Sequence, residues 1–240
     1  MGKTIVISSG KGGTGKTMFT ANIGAMLAKR GHKVCLIDMD QGLRNLDLYL
    51  GMEDLVVYDV NDVLNGVCRI KQALIRNKMF PGLSFMAASP KGDSGEITPL
   101  HMHVLCDKLN DMFDYTFIDC PAGIDDGLQI ALGGADDAIV VMNPEFSSIR
   151  DCDIVSKVIR DQGIKNTYYI LNKVDLGLVK LKMEPGLEDI PDYMRTKIIG
   201  VIKDDKNIHI STNLGMPIVF KEGTYIYKNF DKIAERIERI

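Results

Sequence analysis

Short apolar runs alternate with amphipathic stretches along most of this chain. The runs Thr4–Ile7, Lys33–Ile37, Leu83–Ala87, Tyr115–Ile118, Ala138–Met142, Thr167–Leu171 and Lys197–Ile202 have the length and make-up of buried strands. Helical spacing appears between most of them. Phe19, Ile23, Met26 and Leu27 share one face, and Val155, Val158 and Ile159 share another. Before the second helix, Asn143 is placed to cap and Pro144 to sit in the first turn. Alternating β and α segments predict an α/β fold: a mostly parallel central sheet flanked by helices on both faces. Lys91–Gly95 and Lys180–Gly186 predict loops, and Leu187–Met194 a helix. No repeat or linker interrupts the pattern, so one domain over residues 1–240 is expected. Near the end, Phe230, Ile233, Ala234, Ile237 and Ile240 form a stripe between mixed charges. That pattern predicts a final helix docked on the core, since a membrane-surface helix favours a more uniformly basic face.

Composition narrows the class without naming a chemistry. A net charge of −3 argues against a generally basic, nucleic-acid-coating surface, while leaving room for a local basic patch. The five cysteines include no C-x-x-C pair, which predicts buried thiols in a reducing cytosol rather than a zinc or iron–sulfur site. No apolar run is long enough to span a bilayer. His101-Met102-His103 puts two histidines two residues apart, so on a helix they point to different sides and read as surface residues. The 13 methionines are spread through apolar segments and read as core filler.

The chemistry lies at the ends of three strands. After the first run comes Gly10-Lys11-Gly12-Gly13-Thr14-Gly15-Lys16-Thr17, which matches G-x-x-x-x-G-K-[ST] between a strand and a helix. Such a loop points backbone N–H groups at phosphate oxygens, with the helix N-terminus behind them. In that setting Lys16 reaches the β- and γ-phosphates and the Thr17 hydroxyl serves Mg²⁺. The second run ends in Asp38-Met39-Asp40, where Asp40 is the candidate for orienting an attacking water and Asp38 for supporting the metal. The fourth ends in Asp119-Cys120-Pro121-Ala122-Gly123. Asp119 is the second metal-side carboxylate there, and Gly123 is placed to sense the γ-phosphate through its backbone.

Together, the extra Lys11, the D-x-D and the D-C-P-A-G resemble the deviant phosphate-loop ATPases of the ParA/MinD class, over nearly the whole chain. Gly42–Leu48 looks like the first switch of the MinD branch, Val57–Val60 follows at the expected place, and Asn143–Asp151 is similar to its N-P-E-V-S-S-V-R-D segment. Gly200–Ile202 and Ser211–Ile218 resemble the last strand and the turn after it. The resemblance implies hydrolysis of ATP to ADP with Mg²⁺, slow and partner-stimulated, in division-site selection or a related positioning role. It implies that Lys11, Lys16 and Asp40 act catalytically. Gly12, Gly13, Thr14, Gly15, Lys16, Thr17, Met18, Gly123 and Asn172 would bind the nucleotide, with Asn172 reading adenine. Thr17, Asp38 and Asp119 would hold Mg²⁺. It further implies an ATP-bound homodimer in which Lys11 reaches the partner's nucleotide, regulators of the MinC/MinE type and a cytoplasmic location. Peripheral attachment to the inner face of the cell membrane stays open, because no counterpart of the family's C-terminal targeting tail is seen, and no specific nucleic acid is expected.

This chain departs from the pattern in two places. Met18 stands where a second threonine is usual, and Lys203 stands for the proline of the adenine-side turn. Two other readings compete. A partition or flagellar-number ATPase carries the same motifs. Asn172-Lys173-Val174-Asp175 also matches the guanine-reading N-K-x-D of GTPases, although Ala122 stands where their second switch needs glycine.

Overall fold

The computed structural model describes residues 2–40, 44–90, 97–185, 190 and 197–240. Eight strands form one sheet: β1 (Lys3–Ser8), β2 (Val34–Asp38), β3 (Ile75–Arg76), β4 (Leu83–Met86), β5 (Tyr115–Asp119), β6 (Asp137–Met142), β7 (Asn166–Val174) and β8 (Lys197–Lys203). Their order is β3-β4-β2-β5-β1-β6-β7-β8. Every pairing is parallel except β3 with β4. Each apolar run of the sequence is therefore a strand. Only β3 went unseen, because two residues at a sheet edge are too short to show a period.

Ten helices are described: α1 (Lys16–Lys29), α2 (Leu46–Leu50), α3 (Val60–Leu64), α4 (Ile70–Ala73), α5 (Pro99–Asn110), α6 (Asp126–Leu132), α7 (Phe146–Asp161), α8 (Leu176–Lys180), α9 (Lys206–Asn213) and α10 (Tyr225–Ile237). Helices α1 and α10 cover one face of the sheet, where Phe19, Ile23, Leu36, Phe85, Phe117 and Phe230 make a continuous core. Helices α5, α6 and α7 cover the other over Val6, Ile37, Val140, Leu109 and Ile159. Two covered faces explain why the strands read as solid apolar runs. The C-terminal stripe packs as expected: Phe230, Ile233, Ala234 and Ile237 are buried, while Ile240 is half-buried. Helix α10 also guards the edge strand β8, with Asn229 donating to Val201 O and Arg236 to Ile199 O, at 2.5 and 2.8 Å.

Two expectations are corrected. Helix α7 starts at Phe146 with Glu145 as its N-cap, so Asn143 and Pro144 lie before it. The Asn143 backbone N–H instead donates to the Ser148 Oγ, which holds the turn. All five cysteines are thiols, but only four are buried, and Cys68 is half-exposed. The predicted loop at Lys91–Gly95 and helix at Leu187–Met194 fall outside the described residues, apart from Ile190. His101 and His103 are exposed around a buried Met102, as their spacing requires. No helix among the described residues is long and apolar enough to cross a membrane.

Candidate nucleotide site

Parallel strands gather their C-terminal ends on one edge, and the loop motif emerges there between β1 and α1. Its glycines are required for different reasons. A Cβ on Gly10 would collide with Asp151 of α7, so the loop's first residue lies flat against that helix. Gly15 is left-handed at φ 95°, and a Cβ there would strike the Asn172 amide. Gly12 and Gly13 face open space, so their bare backbone lines a cradle. Helix α1 has no side-chain cap, so no side chain serves the N–H groups of its first turn, which stay available to an anion. Thr14 Oγ1 is buried without a hydrogen-bond partner among the described residues. Two residues at the end of β7 brace the loop from the far side. Asn172 Nδ2 donates to Thr14 O at 2.7 Å, and Lys173 Nζ to Gly13 O at 2.8 Å.

Register brings the carboxylates together. Asp38 on β2 sits opposite Asp119 on β5, and each is 1 % exposed. Burial pushes both carboxyls well above the usual carboxylate range, and the charge of Asp119 raises Asp38 further. Against this, Asp38 accepts backbone N–H groups from Asp40, Asn45 and Leu46, and so ties Asp40 and the start of α2 to the end of β2. Asp119 is eased by the buried Lys16 ammonium and by the Thr17 and Thr20 hydroxyls. Two buried carboxyls with one ammonium and a threonine hydroxyl leave negative charge that a divalent cation would complete. The donor set therefore fits Mg²⁺, which is held by one or two carboxylates plus substrate phosphates. Among the described residues no group of three or more His, Cys, Asp or Glu side chains could by itself hold a metal.

In front of the loop opens a cavity of about 440 Å³. Gly12, Gly13, Gly15, Lys16, Thr17, Met18, Asp40 and Asn172 all line it, so most predicted site residues converge. Lys203, Asp204 and Asp205 wall the side where the usual proline is missing. Gly123 does not line the cavity, and its backbone N–H donates to Ser9 O at 2.9 Å. Lys11 also turns away from the cavity. Its ammonium meets Glu145 at 2.6 Å and Ser147 at 3.3 Å, within its own chain. That bond holds the Glu145 carboxyl below the usual range. Asp175 stands apart from the cavity. It is exposed, caps α8 by accepting from Gly177 and Leu178, and lines no part of the cavity, so the guanine reading is not favoured.

Sequence reasoning missed several residues. Tyr49 of α2 and His209, Thr212 and Asn213 of α9 also line the cavity. Tyr49 hydrogen-bonds Thr212, which joins two helices more than 150 positions apart in sequence. Nothing local in the sequence signals that contact. Glu145 lay inside a segment the sequence did single out, but its pairing with Lys11 spans 134 positions.

Comparison with known proteins agrees with this geometry. The family model for the CobQ/CobB/MinD/ParA nucleotide binding domain matches residues 5–218. The septum site-determining protein MinD of Synechocystis is 43 % identical over 99 % of this chain and 90 % of that protein. The Aquifex aeolicus MinC:MinD cell division complex contains a chain with a TM-score of 0.92 and 39 % identity, over 99 % of this chain and 96 % of that one. MinD of Pyrococcus horikoshii, complexed with Mg-ADP, superposes with a TM-score of 0.89 at 30 % identity, over 100 % and 97 % of the two chains. With the loop, the paired carboxylates and the extra lysine in place, this chain belongs to the CobQ/CobB/MinD/ParA nucleotide-binding family.

Proposed function

We propose that this chain is an ATPase of the MinD type, a nucleotide switch that acts in choosing the division site. The reading is carried by one observation: a single loop holds two lysines in opposite settings. Lys16 is buried beside Asp119, where it serves its own nucleotide. Lys11 is partly exposed on the other side, where a second subunit could receive it.

Residues 1–240 act as one nucleotide-binding unit. Gly12, Gly13, Thr14 and Gly15 cradle the phosphates with backbone N–H groups, and Lys16 neutralises the β/γ side. Met18 and Asn172 bound the base side, where Asn172 also holds the loop through Thr14 O. Thr17 and Asp119 would hold Mg²⁺, which would supply charge neutralisation at the phosphates. Asp38 supports that site by tying Asp40 to the end of β2. Asp40 accepts a hydrogen bond from the attacking water and aims it. Gly123 reports on the γ-phosphate by releasing Ser9 O. Lys11 leaves Glu145 when two ATP-bound copies meet and completes the partner's site, which makes turnover slow in the monomer and open to regulators. MinD is seen with MinC in the Aquifex complex, which supports a MinC-type partner here. A MinE-type regulator, a cytoplasmic location and attachment at the inner face of the membrane are parts of the same reading.

Light scattering with Mg²⁺-ATP beside a phosphate-release assay tests the proposal. Lys11→Ala should bind ATP, stay monomeric and fail to turn over. Asp40→Ala should bind ATP, form the dimer and keep it. Normal dimerisation and turnover by Lys11→Ala would mean an ordinary phosphate-loop enzyme working as a monomer.

A further inference from the structure

Two adjoining clefts lie along the α5 side of the molecule, and the second borders the N-terminal ends of β2 and β4. One, of about 760 Å³, lies between the α3–α4 segment and α5. Its floor is apolar, with Leu64, Ile70, Leu105 and Met112, and its rim carries Arg69, Lys71, His101 and Lys108. The second, of about 590 Å³, runs past the starts of β2 and β4. Leu74, Leu83 and Phe113 line it beside Lys33, Lys71 and Arg76. The two share Lys71 and Met112 and so form one trough.

Its charge is one-sided. No carboxylate lines either cleft, in a chain with 32 acidic and 29 basic residues. Lys33, Arg69, Lys71, Arg76 and Lys108 are exposed, and none pairs with a carboxylate among the described residues. The nearest acids are spoken for or lie outside. Asp59 and Asp62 cap α3 through each other's backbone N–H groups, and Asp107 faces His103; Asp114 accepts the Lys33 backbone N–H at 2.7 Å and, with Asp111, lines an adjacent cleft that meets the trough at Lys33, Met112 and Phe113, so the trough is basic except at that end. Exposed Val67, Leu100 and Val104 add apolar surface around the first cleft. Unpaired cations around an apolar floor are a combination a monomer does not need for its own stability.

We propose that this trough docks an acidic, amphipathic peptide segment of a partner protein, with its apolar side chains on the floor and its carboxylates on the lysine and arginine rim. The concave apolar floor favours a peptide over a nucleic-acid backbone, which would want cations without buried apolar area and a row of stacking aromatics. Its β2–β4 end lies a strand length, roughly 17 Å, from the nucleotide loop. A partner held there would leave the nucleotide edge open to a second subunit.

The test pans a phage-displayed library of random linear peptides on the full chain with Mg²⁺ and ADP. Enriched peptides are synthesised with fluorescein and measured by anisotropy. Peptides rich in Asp and Glu with Leu, Ile, Phe or Met should emerge. Their affinity should fall about tenfold or more in the Lys71→Glu/Lys108→Glu double variant, and fall with added salt. Lys228→Glu, on α10, should bind as the parent does. Both variants should keep the parent's melting temperature and ATP turnover, which separates lost docking from lost folding. No enrichment, enrichment of neutral or basic peptides, or equal binding to the double variant would overturn the proposal. So would duplex DNA or phosphatidylglycerol vesicles binding through the same two lysines, which would reassign the trough to nucleic acid or lipid.

Discussion

Helix α1 ends in two very different surroundings. At its N-terminus, Lys16 is buried beside a carboxyl pair raised by burial, Thr14 Oγ1 has no partner among the described residues, and Gly12 and Gly13 face open space. At its C-terminus nothing is wanting. Just past Lys29, Arg30 pairs with Asp231 and Glu238, and His32 meets Glu238 at 2.8 Å. One end is built for a ligand and leaves polar groups incomplete. The other completes itself with the chain's own last helix. Stability and binding are thus assigned to opposite ends of one rod.

The largest expected effect tests whether that separation is real. Ile237→Ala, beside Glu238 at the self-completed end, empties a fully buried site, which costs about 2–5 kcal/mol of folding stability. Denaturant unfolding should show that loss, while nucleotide affinity of the folded fraction stays near the parent's. A matching loss of affinity would mean that α1 transmits strain between its ends. Lys16→Ala should do the reverse. It removes a charge-assisted bond to phosphate and should weaken ATP-Mg²⁺ binding by about 1.5–3 kcal/mol or more in calorimetry. Unchanged affinity would sink the phosphate-loop assignment.

Smaller effects sharpen the picture. Glu145→Ala releases Lys11 from its own chain, so the dimer should form at about two- to fivefold lower ATP concentration, the size an exposed ion pair supports. Analytical ultracentrifugation across an ATP series reads this, and a shift to higher ATP would show that Glu145 assists the dimer. The smallest effect is at the self-completed end. Hydrogen bonds from Arg30, then from His32, hold Glu238 below its ordinary 4.5. The unfolded chain therefore takes up the proton first as pH falls. The stability that Glu238 contributes is full above about 4.5 and is lost as pH drops through its lowered value. Glu238→Gln should cost under about 1 kcal/mol at neutral pH and flatten the acid side of the stability curve. An unchanged acid limb would mean that another carboxyl governs it.

Much was legible in the chain because its signals are local. The loop motif, the carboxylates closing β2 and β5, and the stripe of α10 each occupy a few neighbouring residues, so period and spacing reveal them. The helix start at Phe146 was misplaced because Asn143 looks like a cap, yet its backbone N–H is taken by Ser148. Asn172 was placed at the nucleotide by the family resemblance, but its bond to Thr14 O joins residues 158 positions apart.

By itself, the sequence determined the alternation of strand and helix, the phosphate loop and its two lysines, and the carboxylates at strand ends. These follow from periodicity and from residue types that few other settings tolerate. Only the tertiary structure decided that Asp38 faces Asp119, that Lys11 rests on Glu145, that Tyr49 reaches Thr212, and that six separated basic residues share one trough. The reason is physical. Such contacts depend on sheet order and register, which are set by burying both faces at once, and no short stretch of chain carries that information.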